Sequence, residues 1–166
     1  MPYTIRIATE DDIDALYDIS CSVHLESFYR DLIPETHYAR FVERYTPSPQ
    51  RLARFYEKFI TRFHDPQWHT WVAEENGEII GFTVAHEQGE VLELRSLFVS
   101  KGHQGKGVGR ALFETSCGIA EPGQTILLEV LENNHRAIKL YEKQGFEKGV
   151  PVDEYYGGSM IQMYKH

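Results

Sequence analysis

Between Ser100 and Gly109 the chain places four glycines and two lysines, after the branched and aromatic run that opens at Val91. Val108, Leu112 and Phe113 then begin an apolar stripe at helical spacing. Strand, glycine-rich turn and helix start in this order suit an anion. Glycine lets the backbone come close to a bound group, and the free N–H groups and dipole of a helix start favour a phosphate. Residues 100–113 hold Lys101, Lys106 and Arg110 and no acid, a local charge of +3 in a chain of −8, which leaves −11 for the remainder. A positive island in an acidic protein points to an anionic ligand there. Gly105, Gly107 and Gly109 lack the spacing of a dinucleotide fingerprint, and no Gly-Lys-Ser/Thr follows as a P-loop requires.

The elements that must position this turn can be read in order. Tyr3–Ala8 alternates as a strand, and Thr9-Glu10-Asp11-Asp12 reads as a helix start with Thr9 as N-cap. Ile13, Leu16, Tyr17, Ser20 and Val23 continue that helix. Pro34 allows a new helix, and Thr46-Pro47-Ser48-Pro49 breaks the run and caps another, in which Leu52, Phe55, Tyr56, Phe59, Ile60 and Phe63 form one broad apolar face. Trp68–Glu74 and Glu78–Glu87 are strands joined at an Asn76-Gly77 turn of the tight hairpin kind. After the strand from Val91 come a helix over 107–118, a strand at Thr125–Leu131, a helix over Asn133–Gln144 stopped by Gly145, and strands at Phe146–Val150 and Ser159–Tyr164. The expected order is β-α-α-β-β-β-α-β-α-β-β, without an internal repeat or linker.

The bulk properties bound the function. A chain of 166 residues with 42% hydrophobic content fits one domain with a sizeable core. No apolar run approaches a membrane span and the first residues lack a signal-peptide layout, so a cytoplasmic location is expected. Cys21 and Cys117 are too few for a disulfide framework and have no metal-ligand spacing, so no metal is expected. The acidic balance argues against nucleic acid, which needs clustered cations over a wide face.

Gln104-Gly105-Lys106-Gly107-Val108-Gly109 resembles the Q/R-x-x-G-x-G/A signature of the GCN5-related N-acetyltransferase (GNAT) superfamily. Asn134, Ala137, Leu140, Tyr141, Lys143, Gly145 and Phe146 resemble that family's second signature, in the family's order and on the expected elements. The resemblance extends over essentially the whole chain. It implies a single N-acetyltransferase domain over residues 1–166 with the GNAT fold. That is an α/β architecture with a mixed seven-stranded sheet splayed between strands 4 and 5 and helices on both faces.

The same resemblance assigns roles. Acetyl-CoA is the implied cosubstrate. Leu97, Phe98 and Val99 offer backbone groups to its acetyl and pantetheine portions, and Gln104, Gly105, Lys106, Gly107, Val108, Gly109 and Arg110 hold its pyrophosphate. Asn134 bonds the pantetheine arm, and Tyr141 matches the tyrosine that donates to the departing sulfur. A phenol of pKa about 10 keeps its proton at neutral pH. Glu93, eleven residues before Gln104, stands where histone-acetyltransferase members carry a catalytic glutamate and is the expected base, with Glu90, His24, Glu26 or a chain of waters as alternatives. His24, Glu26, Phe28 and Tyr29 are the expected acceptor-binding residues. The expected activity is direct acetyl transfer through a ternary complex to a primary amine. A small cationic, polyamine-like acceptor leads, because the acidic balance and the aromatic residues of 24–63 could hold a cation. Amino-terminal acetylation of proteins or peptides is the alternative within the class, and a non-catalytic CoA-binding sensor module the alternative from another. The expected partner is a small-molecule amine, with no nucleic acid or membrane, and with room for a homodimer.

Overall fold

The structure, a computed structural model, describes residues 2–26 and 29–166, with Tyr29 and Arg30 described by their backbone alone. Phe28, one of the expected acceptor contacts, lies outside the described residues. Seven strands form one mixed sheet: β1 (Tyr3–Ile7), β2 (Trp68–Glu75), β3 (Glu78–Gln88), β4 (Val91–Val99), β5 (Thr125–Leu131), β6 (Glu147–Tyr155) and β7 (Gly158–Lys165). Their spatial order is β1-β2-β3-β4-β5-β7-β6. The helices are α1 (Ile13–Glu26), α2 (Tyr29–Leu32), α3 (Glu35–Tyr45), α4 (Pro49–Phe63), α5 (Val108–Cys117) and α6 (His135–Lys143). The connection between the first two strands thus holds α1, α3 and α4 at the three helix starts read near Thr9, Pro34 and Ser48, with the short α2 in addition, where the condensed order had two.

Local chemistry explains these boundaries. Thr9 opens a 3₁₀ turn over Glu10–Asp12 rather than capping the helix itself, and Asp12 accepts from the Thr9 N–H at 2.8 Å. Arg6 pairs with the same carboxylate and with Glu74, which ties the helix start to the sheet edge and holds Asp12 below the usual carboxylate range. Ser48 caps α4 by accepting from the Arg51 N–H, with Pro49 at the first helical position. Asn76 and Gly77 both have positive φ, as the primed hairpin turn between β2 and β3 requires.

Alternation along β1–β4 builds a core on each face of that half of the sheet. Phe82 and Val84 of β3 pack with Ile13, Leu16, Val23, Phe59 and Phe98 on the α1 and α4 side. Ile80, Ala85 and Leu92 pack with Val108 and Leu112 of α5 on the other side, where Leu97 and Val99 join them. Successive residues of β4 therefore face opposite layers, Phe98 towards α1 and its neighbours towards α5.

The sheet divides where the two halves meet. β4 and β5 are paired in parallel from Val91 with Thr125 to Leu94 with Leu128, and no further. Beyond that point β4 remains paired to β3 alone and β5 to β7 alone. A β-bulge marks the same place. Val84 opposes Ser96 and Ala85 opposes Leu94, so Arg95 is the extra residue that turns the strand away.

Candidate active site

A cleft of about 990 Å³ follows the division of the sheet. Leu97, Phe98 and Val99 line one wall, and Glu129, Val130 and Leu131 of β5 line the other. Asn134 and Tyr141 of α6 face the same space, as do Gln104, Gly105 and Gly109 of the glycine-rich turn. Because β4 lacks a partner on the β5 side past Leu94, its backbone groups there are available to a bound molecule.

The glycine-rich turn is held from behind. Gln104 Nε2 donates to the Val99 carbonyl at 2.9 Å, and His103 pairs with Ser100 and, at 3.1 Å, with Glu75. Gly107 is the N-cap of α5 at φ 87, with no side-chain cap, so the first N–H groups of the helix point outward without a protein acceptor among the described residues. Val108 is buried in the core beneath α5, so only its backbone can serve the turn. Lys106 is exposed, and Arg110 lies along the helix, its Nε donating to Glu114 at 2.8 Å. Neither Lys106, Gly107, Val108 nor Arg110 lines the cleft itself; they are chain neighbours of Gly105 and Gly109, which do.

Gly107 and Gly109 make separable tests of this turn. A side chain at Gly107 meets a left-handed backbone, a strain of about 1–3 kcal/mol whatever the space around it. A Cβ at Gly109 would meet only Val99 Cγ2 at 3.5 Å, an ordinary contact. Gly109→Val is therefore expected to keep the fold while weakening acetyl-CoA binding by roughly 10–100-fold, the loss of one or more charge-assisted hydrogen bonds. Titration calorimetry showing wild-type affinity in a folded Gly109→Val protein would remove the turn from the site.

Asn134 caps α6, its Oδ1 accepting from the Ala137 N–H at 3.2 Å. That use of the oxygen leaves the amide nitrogen as a donor towards the cleft. Tyr141 stands between the rings of Phe113 and Phe146, with centroids 5.6 and 6.1 Å away. Burial, with a smaller contribution from Cys117, pushes its phenol up to about 12. Its hydroxyl has no protein hydrogen-bond partner among the described residues, so it is a neutral donor facing the cleft.

The expected base stands elsewhere. Glu93 does not line the cleft; one carboxylate oxygen accepts from Arg95 at 2.8 Å and the other from Gln88 at 2.9 Å. The bulge at Arg95 puts the guanidinium, not the carboxylate, at the division of the sheet. Glu129 is the carboxylate that lines the cleft among the described residues, one position past the last β4–β5 pair. Sequence reasoning passed over it because it lies in an apolar run. The alternation of that run, with Ile126, Leu128 and Val130 in one core, was the signal that residue 129 faces the other way.

On the acceptor side, His24 lines the cleft while Glu26 does not. His24 stacks on Tyr45 at 3.7 Å and meets the edge of Phe98 at 4.9 Å, and its Nδ1 contacts the Ser20 carbonyl. Burial lowers it to about 4, so it is neutral when folded and takes a proton more readily when unfolded. Between pH 6.5 and 4 the unfolded chain binds the extra proton, so stability falls with pH across that window, by roughly 3 kcal/mol in all. His24→Leu is expected to flatten this slope in urea unfolding measured at pH 7.5 and pH 4. An equal loss in both proteins would refute the assignment.

Among the described residues no group of three or more His, Cys, Asp or Glu is arranged to hold a metal, and no helix is long and apolar enough to cross a membrane.

Comparison with known proteins agrees with this architecture. The chain is similar, at 29% identity over 155 residues, to an uncharacterized N-acetyltransferase of Methanocaldococcus jannaschii, covering 88% of this chain and 61% of that protein. A mycothiol acetyltransferase of Streptomyces avermitilis is 39% identical over 82 residues, 46% of this chain and 26% of the other. The chain thus spans about three fifths and one quarter of the lengths of these relatives. In fold it resembles a ribosomal-protein-alanine N-acetyltransferase from Brucella melitensis, with a TM-score of 0.74 at 23% identity over 98% of both chains. A PaiA N-acetyltransferase from Thermoplasma acidophilum, solved with coenzyme A, gives 0.72 at 18% identity, again over 98% of both. The family model described as acetyltransferase (GNAT) family matches residues 25–146. Both signatures fall in that span, on the turn and the helix that border the cleft, and the chain belongs to the GNAT family.

Proposed function

We propose that this protein moves the acetyl group of acetyl-CoA to the nitrogen of a primary amine by direct transfer through a ternary complex. The observation that carries the reading is the divided sheet, with an uncapped, glycine-rich helix start at one end and an unpaired tyrosine hydroxyl facing the gap. These features fit the cosubstrate: an anion site, a free strand edge for an amide-rich arm, and a donor for a leaving sulfur. Bound acetyl-CoA supplies an activated thioester carbonyl. The backbone of Leu97–Val99 orients that group, Asn134 and the turn hold the rest, and Tyr141 donates a hydrogen bond to sulfur as the C–S bond breaks.

The proton of the attacking nitrogen needs an acceptor, and we assign it to Glu129, directly or through water, in place of Glu93. Glu93 is committed to Arg95 and Gln88 and acts by orienting Arg95. A covalent route through the protein has little support. Cys21 is the cysteine that lines the cleft, and burial raises its thiol further from the reactive thiolate.

The polyamine-like acceptor expected from the acidic composition is not retained. The acceptor end of the cleft presents arginine and lysine, with Glu129 as its only carboxylate among the described residues, and a polycation would meet like charge. The hydroxyls of Tyr45 and Tyr155 are in direct hydrogen-bond contact, joining α3 to the β6–β7 hairpin at the wall of the cleft, and a bridge there leaves less room for a protein amino terminus. A coupled thiol-release assay over a broad amine panel tests the reading. Turnover of acetyl-CoA with an amine supports it, and coenzyme binding without turnover across the panel favours a sensor module instead.

A further inference from the structure

Residues Arg51, Arg54, Phe55 and Lys58 recur at i, i+3, i+4 and i+7 along α4, so they share one helical face, and that face lines the cleft. Arg44 from the end of α3 and Arg95 from the β4 bulge line the same cleft. This group lies away from the glycine-rich turn, because α4 packs on the face of the sheet opposite α5. We infer that the acceptor is a small primary amine that also carries an anionic group, a carboxylate, phosphate or sulfonate, held by Arg44, Arg54, Lys58 and Arg95 while its amine lies towards Glu129 and Tyr141. The inference rests on the acetyl-transfer reading above.

Three observations support it beyond the count of charges. Among the described residues, Arg44, Arg54 and Lys58 have no carboxylate within ion-pair distance, and Arg51 reaches only the exposed Glu43 at 3.9 Å. A functionally idle surface in a chain of net charge −8 would be expected to pair such groups. Second, the cations repel one another. Desolvation at the cleft wall, then Arg62, Arg44 and Arg95, lower Lys58 to about 8, although its ammonium still reaches solvent. An anion would relieve that repulsion, and guanidinium groups match the geometry of carboxylate and phosphate. Third, the cluster is firmly backed. Lys58 lies over the rings of Phe55 and Phe59, and Arg62 behind it stacks 4.1 Å from the Trp68 ring centre. The Tyr45–Tyr155 bridge at the wall of the cleft favours a small acceptor.

The test compares matched acceptors at saturating acetyl-CoA: β-alanine, its amide, O-phosphoethanolamine, taurine and 1,3-diaminopropane. At least one anionic amine is expected to exceed the amide and the diamine in kcat/KM by on the order of 10–100-fold. The carboxylate, phosphate and sulfonate arms tell which anion is preferred. The double variant Arg54→Glu, Lys58→Glu should abolish that margin with the KM for acetyl-CoA unchanged, which also shows the variant to be folded; Arg54→Gln, Lys58→Met, which keeps the packing over Phe55 and Phe59, should reduce the margin in the same direction. Preference for the diamine or the amide, or a variant that keeps the wild-type preference, overturns the inference while leaving acetyl transfer intact. If no amine is acetylated, acetyl transfer itself fails. The anion site is then judged by calorimetry with inorganic phosphate on protein saturated with coenzyme A, which occupies the glycine-rich turn. Phosphate binding lost in the double variant supports the site, and absent or unaltered binding overturns it.

Discussion

Tyr141→Phe is expected to lower kcat by about 10²–10³-fold while the KM for acetyl-CoA changes little, because the hydroxyl acts as the C–S bond breaks and not when the cosubstrate binds. The phenol stands at about 12, and an ordinary thiol ionises near 8.5. Full proton transfer from Tyr141 to a departing thiolate is therefore uphill. The role that fits is hydrogen-bond donation to sulfur, with the proton remaining on the phenol oxygen. The sign of the pH dependence follows. Raising the phenol extends its neutral, donating form upward, so Tyr141 should produce no alkaline loss of rate near pH 10. Phenylalanine keeps the packing against Phe113 and Phe146 and breaks no protein hydrogen bond, so the thermal midpoint should stay close to wild type. Wild-type rates in single-turnover measurements on Tyr141→Phe would make the residue structural.

Glu129→Gln is expected to reduce kcat/KM by roughly 10²–10⁴-fold near neutral pH, with much of the loss returning as the pH rises towards 10. An alkyl-ammonium has a pKa near 10.4, so at pH 7 only about one molecule in 10³ carries the free lone pair. A carboxylate at the mouth of the division can bind the ammonium and accept its proton; in strong base the amine no longer needs it. Glu93→Gln should do less and act differently. It frees Arg95, so its effect should appear in the KM of the acceptor rather than in the pH profile. Equal pH–rate profiles for wild type and Glu129→Gln, with Glu93→Gln showing the pH-dependent loss, would return the role to Glu93.

Much of the architecture was legible because each signal is local. The Asn76-Gly77 hairpin, the Ser48-Pro49 helix start and the apolar face of α4 depend on residues a few positions apart. β6 extends past its expected end at Val150 to Tyr155 for a reason outside that range. Pro151 has no N–H to give, but β6 is the edge of the sheet and its pairing with β7 shifts register between Lys148 and Pro151, where a proline is tolerated. The added helix α2 was obscured in the same way, since a four-residue helix draws its stability from its surroundings, whereas α3 begins after Pro34 as expected.

The glycine-rich turn and the last helix, on which the proposed coenzyme contacts sit, were set by local sequence. The roles we propose for Gly107, Gly109, Asn134 and Tyr141 depend on backbone geometry, capping and position within a helix, and these follow from neighbours in the chain. Which carboxylate faces the cleft, and which charges line it, depended on long-range packing. A single bulge at Arg95 moves Glu93 behind a guanidinium, and the end of β4–β5 pairing exposes Glu129. Arg44, Arg54, Lys58 and Arg95 come from three elements and meet only when α3 and α4 fold over the sheet. Net charge is a sum over the whole surface, whereas a bound amine feels charges within about a Debye length of 8–10 Å. A chain of −8 can for that reason hold a cationic stretch of cleft wall, which forms only when the fold brings its elements together.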